Sequence, residues 1–432
     1  MKRILISALL IPLSASAETL ELRDAISRAL ERNGELRAQK KTELQAEADR
    51  DRAAGEFGWK LTGLAAVAPI TKAEGNATFA QENKSTIGRT YIGKFEFLQP
   101  LYTFGRKQDY VAAAERGILV KAGDTLLREA EVRYQVKEAF WGYQAAASFL
   151  DQISDGRKDV DKIREDRGMK RSQQDGYRLD ILAEQLRAKE AEARKLLTLA
   201  RGGFSLRIGA GDDAAVPKND WISAAPRELK PLDHYLRLAR ENRAEFRQIE
   251  LGIEAKHLLA RAEKKSLLPV VALGAQYEFA DTNVRTAQPG PFAWDPYNRE
   301  ALSVGLGLKV DFQWDLAQAK SARYRAEAEE LEAKLPWAQE GLLLEVKRAY
   351  WDVEAATARL EAATNAYKTG KKWINREMAA FSAGLGRSER LVQAWGARAE
   401  TVKEYLEAIY GHHMAWAAMS RAVGREVDPL LL

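Results

Sequence analysis

Residues 302–315 read LSVGLGLKVDFQWD. Leu302, Val304, Leu306, Leu308, Val310, Phe312 and Trp314 alternate with Ser303, Gly305, Gly307, Lys309, Asp311, Gln313 and Asp315. An extended chain sends alternate side chains to opposite faces. The stretch therefore predicts a strand with one wholly apolar face and one face of charge and glycine. A second run, from Pro269 to Phe279, sets Val271, Leu273, Ala275, Tyr277 and Phe279 against Gln276 and Glu278. Earlier in the chain Tyr91, Gly93, Phe95 and Phe97 oppose Lys94 and Glu96, and an alanine-rich run from Trp59 to Ile70 supplies a weaker partner. The intervening stretches Lys72–Ser85 and Ala280–Arg299 are polar or proline-rich and read as loops.

Alternation alone also suits a soluble sheet with one face on a core. Two features point to lipid instead. The runs are long enough for an outer-membrane crossing, which takes about 9–11 residues. Tyr91, Tyr102, Phe104, Tyr277, Phe279, Phe312 and Trp314 gather near strand ends, where a membrane interface places aromatics. Four strands cannot close a barrel, because the smallest transmembrane barrels need about eight and an open edge in lipid leaves backbone groups unpaired. Two copies would give eight strands and a filled interior; three would give twelve and room for a lumen. Lys94, Glu96, Lys309, Asp311 and Asp315 are the candidate lumen residues.

The chain is also duplicated. Val136-Lys137-Glu138-Ala139-Phe140-Trp141 returns as Val346-Lys347-Arg348-Ala349-Tyr350-Trp351, and the same 210-residue offset aligns Ala29, Glu31, Glu35 and Arg37 with Ala239, Glu241, Glu245 and Arg247. This predicts two repeats, 18–212 and 232–432, joined by a proline-containing linker at 213–231. Each repeat reads as a helix (Leu20–Glu56 or Leu232–Leu267), two strands, a very long helix and a return helix. The long stretch Leu101–Met169 has no proline and as one helix would extend roughly 100 Å. Its counterpart, Leu316 to Ala383, carries Pro336, which predicts a kink or junction. Such lengths suit antiparallel hairpins packed side by side. Gly202-Gly203 and Gly384-Leu385-Gly386 read as helix breaks, and Trp141, Trp351, Trp373, Trp395 and Trp416 as helix-packing residues.

Composition narrows the function. The chain has 432 residues, no cysteine and a formal net charge of +5. Without cysteine there are no disulfides, thiolate metal sites or lipidated thiol. Mixed charges without a basic block argue against nucleic acid. Lys2-Arg3, the apolar stretch Ile4–Leu13 and Ala15-Ser16-Ala17 form a secretory signal over residues 1–17. No serine, histidine and carboxylate grouping suggests an enzyme, and no cofactor or metal site is read.

On these features the sequence resembles the TolC family of outer-membrane efflux and secretion ducts, over nearly the whole chain after the leader. The resemblance is carried by Leu20-x-Leu22-x-x-Ala25-Ile26-x-x-Ala29-Leu30-x-x-Asn33, by Gln99-Pro100-Leu101-Tyr102 with Gly105-Arg106, by Asp180-Ile181-Leu182-x-x-Gln185, by Ala383-Gly384 with Leu391-x-x-Ala394, and by Ala422-Val423-Gly424. It implies an α+β membrane protein: long helical hairpins forming an α-helical barrel, plus four strands per chain in a twelve-stranded transmembrane β-barrel. It implies a homotrimer in outer-membrane lipid with a large periplasmic portion. It implies a passive exit duct of a tripartite efflux or type I secretion system, docked at its helical tips onto a periplasmic adaptor and an inner-membrane transporter. The tip candidates are Arg171, Asp180, Gly384, Arg387, Arg390 and Gln393. Some family members gate the tip with acidic residues; here Arg390 and Gln393 stand at those positions and only Asp180 keeps the acid. The basic tip reads either as a constriction or as ordinary solvated arginines. The rival to the duct is a periplasmic adaptor or coiled-coil scaffold without a pore.

Overall fold

The computed structural model describes residues 18–75, 79–165, 172–211, 215–218, 221–288, 290, 292 and 294–431. The leader, Arg171 and part of the linker lie outside them. The first repeat comprises β1 (Glu18–Leu20), α1 (Leu22–Arg32), α2 (Gly34–Gly55), β2 (Lys60–Gly75), β3 (Ala80–Tyr102), α3 (Arg106–Glu165) and α4 (Gln173–Arg207). β4 (Ala215–Pro217) falls within the predicted linker and pairs in parallel with β1. The second repeat comprises α5 (Leu232–Asn242), α6 (Ala244–Lys265), β5 (Val270–Thr282), β6 (Arg299–Lys309), α7 (Trp314–Ser382) and α8 (Ser388–Val423).

The opening helix of each repeat is two helices, not one. α1 and α5 have 11 residues each, and α2 and α6 have 22 each. The breaks fall at equivalent positions, Asn33 (ψ 123°) and Arg243 (ψ 122°), both extended. Asn33 then accepts a hydrogen bond from the Leu36 backbone N–H at 3.0 Å, capping α2 as a short polar side chain should. Arg243 instead holds Glu245 at 2.6 Å and Glu345 at 2.7 Å.

Other boundaries also differ from the sequence reading. Leu101 and Tyr102 finish β3, and α3 starts only at Arg106. Phe104 (φ 51°) and Gly105 (φ 81°) make a left-handed turn between them. Glycine suits that turn twice over, since a Cβ at Gly105 would lie 2.8 Å from the Lys265 Nζ. β6 ends at Lys309 rather than Asp315. Val310–Gln313 are irregular, the Ala317 N–H bonds to the Gln313 carbonyl at 3.0 Å, and Trp314 opens α7. The expected loop Lys72–Ser85 is largely strand, because β2 runs to Gly75 and β3 starts at Ala80. Gly202-Gly203 does not break α4, and α7 continues through Pro336.

The contacts divide the chain into two units. The sheet unit holds Thr42–Ala122 and Gln248–Leu335. Its sheet is antiparallel throughout, in the order β2-β3-β5-β6. The helical unit holds Met1–Lys41, Gly123–Arg247 and Pro336–Leu432. Its core repeats with the sequence. Ala29 and Val136 are buried in one cluster with Phe140 and Phe204, and their counterparts Ala239 and Val346 are buried in another with Tyr235 and Trp416. Of the helical tryptophans, Trp395 and Trp416 are buried and Trp141 is half-buried, whereas Trp351 and Trp373 are exposed and pack no core.

Charges are buried where the chain crosses back over the helices. Ile222 donates its backbone N–H to the Ser148 Oγ at 2.9 Å, which seats the second half of the linker on α3. Arg227, fully enclosed, lies 2.9 Å from Asp428 and contacts the Nδ1 atoms of His412 and His413 at 3.3 and 2.8 Å. The His413 Nε2 lies 3.0 Å from the Ser223 carbonyl, so the Nε2–H tautomer donates there and leaves Nδ1 to accept from Arg227. Lys137, on α3, pairs with Glu426 at 2.6 Å. Burial next to the Arg227 guanidinium pulls His412 down to about 4 and His413 down to about 3. Burial raises Asp428 despite Arg227.

A histidine whose folded pKa is depressed binds its proton more readily in the unfolded chain. The stabilisation is therefore complete above pH 6.5 and is lost as pH falls toward the folded values; Asp428 works in the opposite sense only in the carboxylate range. The thermal unfolding midpoint of the detergent-solubilised protein should decline as pH is lowered from 6.5 toward that range. His413→Asn should flatten this slope whatever its absolute stability, and an unchanged slope would remove His413 from the acid response.

Candidate functional site: the two faces of the sheet

Residues directly opposed on antiparallel strands share a face. The register places Leu61, Phe97, Ala275 and Val304 in one row across all four strands, and Gly63, Phe95, Tyr277 and Leu302 in the next. This face is apolar, and it is open. Leu302, Val304, Leu306 and Leu308 are between 67% and 72% exposed. A contiguous apolar surface of this kind marks an interaction with lipid or protein. The Phe95 ring covers Gly63, where an added Cβ would lie 3.1 Å from ring carbons.

The intervening rows form the other face. Thr62, Glu96, Gln276 and Ser303 make one; Leu64, Lys94, Glu278 and Ala301 make the next; Ala66, Ile92, Ala280 and Arg299 follow. Its charges are matched. Lys94 lies 2.6 Å from Glu96 and 4.0 Å from Glu278, and Arg299 lies 2.9 Å from Glu278. The Gln276 amide donates to Glu278 as well. Exposed pairs of this kind are screened by water and contribute little stability, so they describe the character of the surface more than what holds the sheet together.

Of the residues expected on this face, Lys94 and Glu96 lie mid-strand and Lys309 ends β6. Asp311 is in the irregular link, 3.8 Å from Lys309. Asp315 is in the first turn of α7, where a carboxylate complements the helix dipole, so it is a helix residue rather than a strand residue. Arg299 was missed because it sat in an apparent loop; only the strand register brings it beside Glu278.

The tip candidates among the described residues lie in the helical unit. Gly384 (φ 74°) turns the chain between α7 and α8, with its N–H on the Phe381 carbonyl at 3.0 Å. Arg387 is the N-cap of α8, and Arg390 and Gln393 are exposed on that helix. Asp180 is exposed on α4, 3.8 Å from Arg164. Sequence reading missed Ser172, Asp175 and Ser388. Ser172 and Asp175 form a reciprocal capping box on α4. Hydrogen bonds from Ser172 and Ser388 hold the Asp175 carboxyl below the usual carboxylate range. Arg178 reaches the Ser388 Oγ at 3.4 Å, linking the starts of α4 and α8.

Among the described residues no helix is long and apolar enough to cross a membrane, and no group of histidine, aspartate or glutamate is placed to hold a metal ion. The chain thus combines an open four-stranded sheet, apolar on one face and polar on the other, with long helical hairpins.

Comparison agrees. Residues 235–425 match the outer membrane efflux protein family. The fold matches the outer membrane protein VceC of Vibrio cholerae (TM-score 0.73, 14% identity, 94% of this chain and 96% of that one). It also matches the Campylobacter jejuni CmeC outer membrane channel (0.72, 12%, 99% and 94%) and the open state of the Neisseria gonorrhoeae MtrE outer membrane channel (0.71, 15%, 94% and 89%). No curated protein sequence matches the chain. Over residues 235–425 the second repeat is thus similar to the outer membrane efflux protein family, and the chain as a whole has the fold of these outer-membrane channels.

The two faces make opposite demands on a new charge. Val304→Arg should cost about 2–4 kcal/mol of stability in lipid, the range for arginine on the lipid face of a barrel. Ser303→Arg, one residue away on the other face, should be tolerated. Urea titration of the protein in liposomes measures both; equal costs would mean the faces are assigned wrongly.

Proposed function

We propose that three copies of this chain assemble into a twelve-stranded barrel and a helical duct, forming the passive outer-membrane exit of a tripartite efflux or type I secretion system. The observation that carries the reading is the sheet itself. Its apolar face is uncovered, its other face is polar, and β2 and β6 each have a neighbour on one side only. An adaptor or scaffold in water would leave both the apolar rows and the strand edges exposed. In lipid, the rows face acyl chains and the edges pair with neighbouring copies.

In this reading Lys94, Glu96, Lys309 and Asp311 line or border the lumen, joined by Gln276, Glu278 and Arg299. The duct performs no chemical step. Energy comes from an inner-membrane transporter, and a periplasmic adaptor meets the turns around Asp180 and Gly384. Arg387 and Arg390, with Arg171, form a basic tip that each copy repeats around the symmetry axis. Solutes cross by diffusion once that tip opens.

Two measurements test this. The protein should fractionate with the outer membrane and run as a heat-sensitive trimer on gels, whereas a soluble monomer would end the duct reading. In planar bilayers it should give ion-conducting channels, and Arg387→Ala with Arg390→Ala should raise conductance or shift ion selectivity. Unaltered currents would reduce the arginines to solvated surface.

A further inference from the structure

Within the helical unit the four long helices pack against one another along their length. α3 packs on α4 through Phe140 and Phe204, 6.0 Å apart, and through the Arg157–Glu190 pair at 2.6 Å. On its other side α3 packs on α8. Trp141 stacks on His413 at 3.9 Å, and Arg398 donates to Gln152 at 2.9 Å. α8 in turn meets α7, where Tyr367 stacks on Tyr405 at 4.5 Å. Around Phe140 and Trp141 the order is therefore α4-α3-α8-α7, with α4 and α7 outermost, whereas toward the tip α4 also meets α8 through Arg178 and Ser388.

The outer helices carry large apolar side chains that face nothing in their own chain. On α7, Trp337, Leu344 and Trp351 are exposed; on α4, Leu199 and Leu206 are exposed. Each set is spaced by seven residues, the repeat that keeps one seam of a helix facing a partner helix. The two seams lie on opposite flanks and so require a second copy to meet.

The internal repeat supplies the pairing. Shifted by the repeat offset, Trp141 becomes Trp351 and His413 becomes Gly203. The α3–α8 contact inside the chain is thus a template for an α7–α4 contact between chains. Where the template stacks tryptophan on imidazole, the second contact offers tryptophan to a glycine pair, Gly202-Gly203. Glycine inside a helix is disfavoured. Here it leaves room, since a Cβ at Gly203 would meet nothing within 4 Å in the single chain.

We propose that Trp351 of one copy seats in the Gly202-Gly203 notch of α4 in the next copy, with Leu344 and Trp337 continuing the seam. This rests on the oligomeric duct reading and specifies its helical interface. The chain has no cysteine, so introduced thiols are unique. Trp351→Cys combined with Gly203→Cys, treated in membranes with a short bismaleimide suited to helices about 8–10 Å apart, should give dimer and trimer bands that survive boiling. Each single variant should give none, as should Trp351→Cys with Gln185→Cys, far along α4. A heat-sensitive trimer without cross-linking by the first pair overturns the proposed seam and leaves the duct intact. A protein that is monomeric in membranes overturns both.

Discussion

The backbone hydrogen bonds at the edges of the four-stranded sheet set the terms for this protein. In water, an edge strand can bond to solvent. In hydrocarbon it has no such partner, and each unsatisfied N–H or C=O group costs several kcal/mol. β2 is 16 residues long and β6 is 11, so both edges expose many such groups. A single chain with this sheet has no stable place in a bilayer. In that setting only another sheet edge can satisfy it. For such a sheet in lipid, association is demanded by the bonding of the main chain, before any side chain at the interface is considered.

Duplication solves this economically and then breaks its own symmetry. The two repeats place equivalent breaks at Asn33 and Arg243 and bury equivalent residues at Val136 and Val346. The first half carries the longer hairpin, with 23 residues in β3 against 13 in β5. The second half has the proline in its long helix and the buried histidine pair beneath the linker. The charged contacts are equally unequal: Lys137 meets Glu426, whereas its counterpart Lys347 stands in the half that supplies an outer flank.

The period-two pattern found three of the strands, because a sheet with one apolar and one polar face fixes which way each side chain must point; the alanine-rich β2 was legible only as the partner the repeat required. The same enforcement made the repeat legible in the long helices. Ends of elements were harder. Phe312 and Trp314 continue the alternation of β6, yet the chain has already left the sheet, since aromatic residues at the strand-to-helix link satisfy the same spacing. The stretch 72–85 looked like a loop because its residues are polar; a strand open to water needs no apolar row. Arg299 and Ser388 act through partners far along the chain, and only register or packing reveals such neighbours. Trp351 and Trp373 read as packing residues because they sit in helical stretches, yet both are exposed in the single chain.

The ion pairs of Arg227 with Asp428 and of Lys137 with Glu426 join residues about 200 and 290 positions apart along the chain, and the acidic member is the later one each time. Until those last carboxylates arrive, two cations are left among apolar helices without neutralisation. Both pairs therefore tie the segment after α8 to the body of the helical unit, one through the linker and one through α3. The short stretch from Glu426 to Asp428 thus acts as a clasp, closing two distant parts of the fold with one carboxylate each.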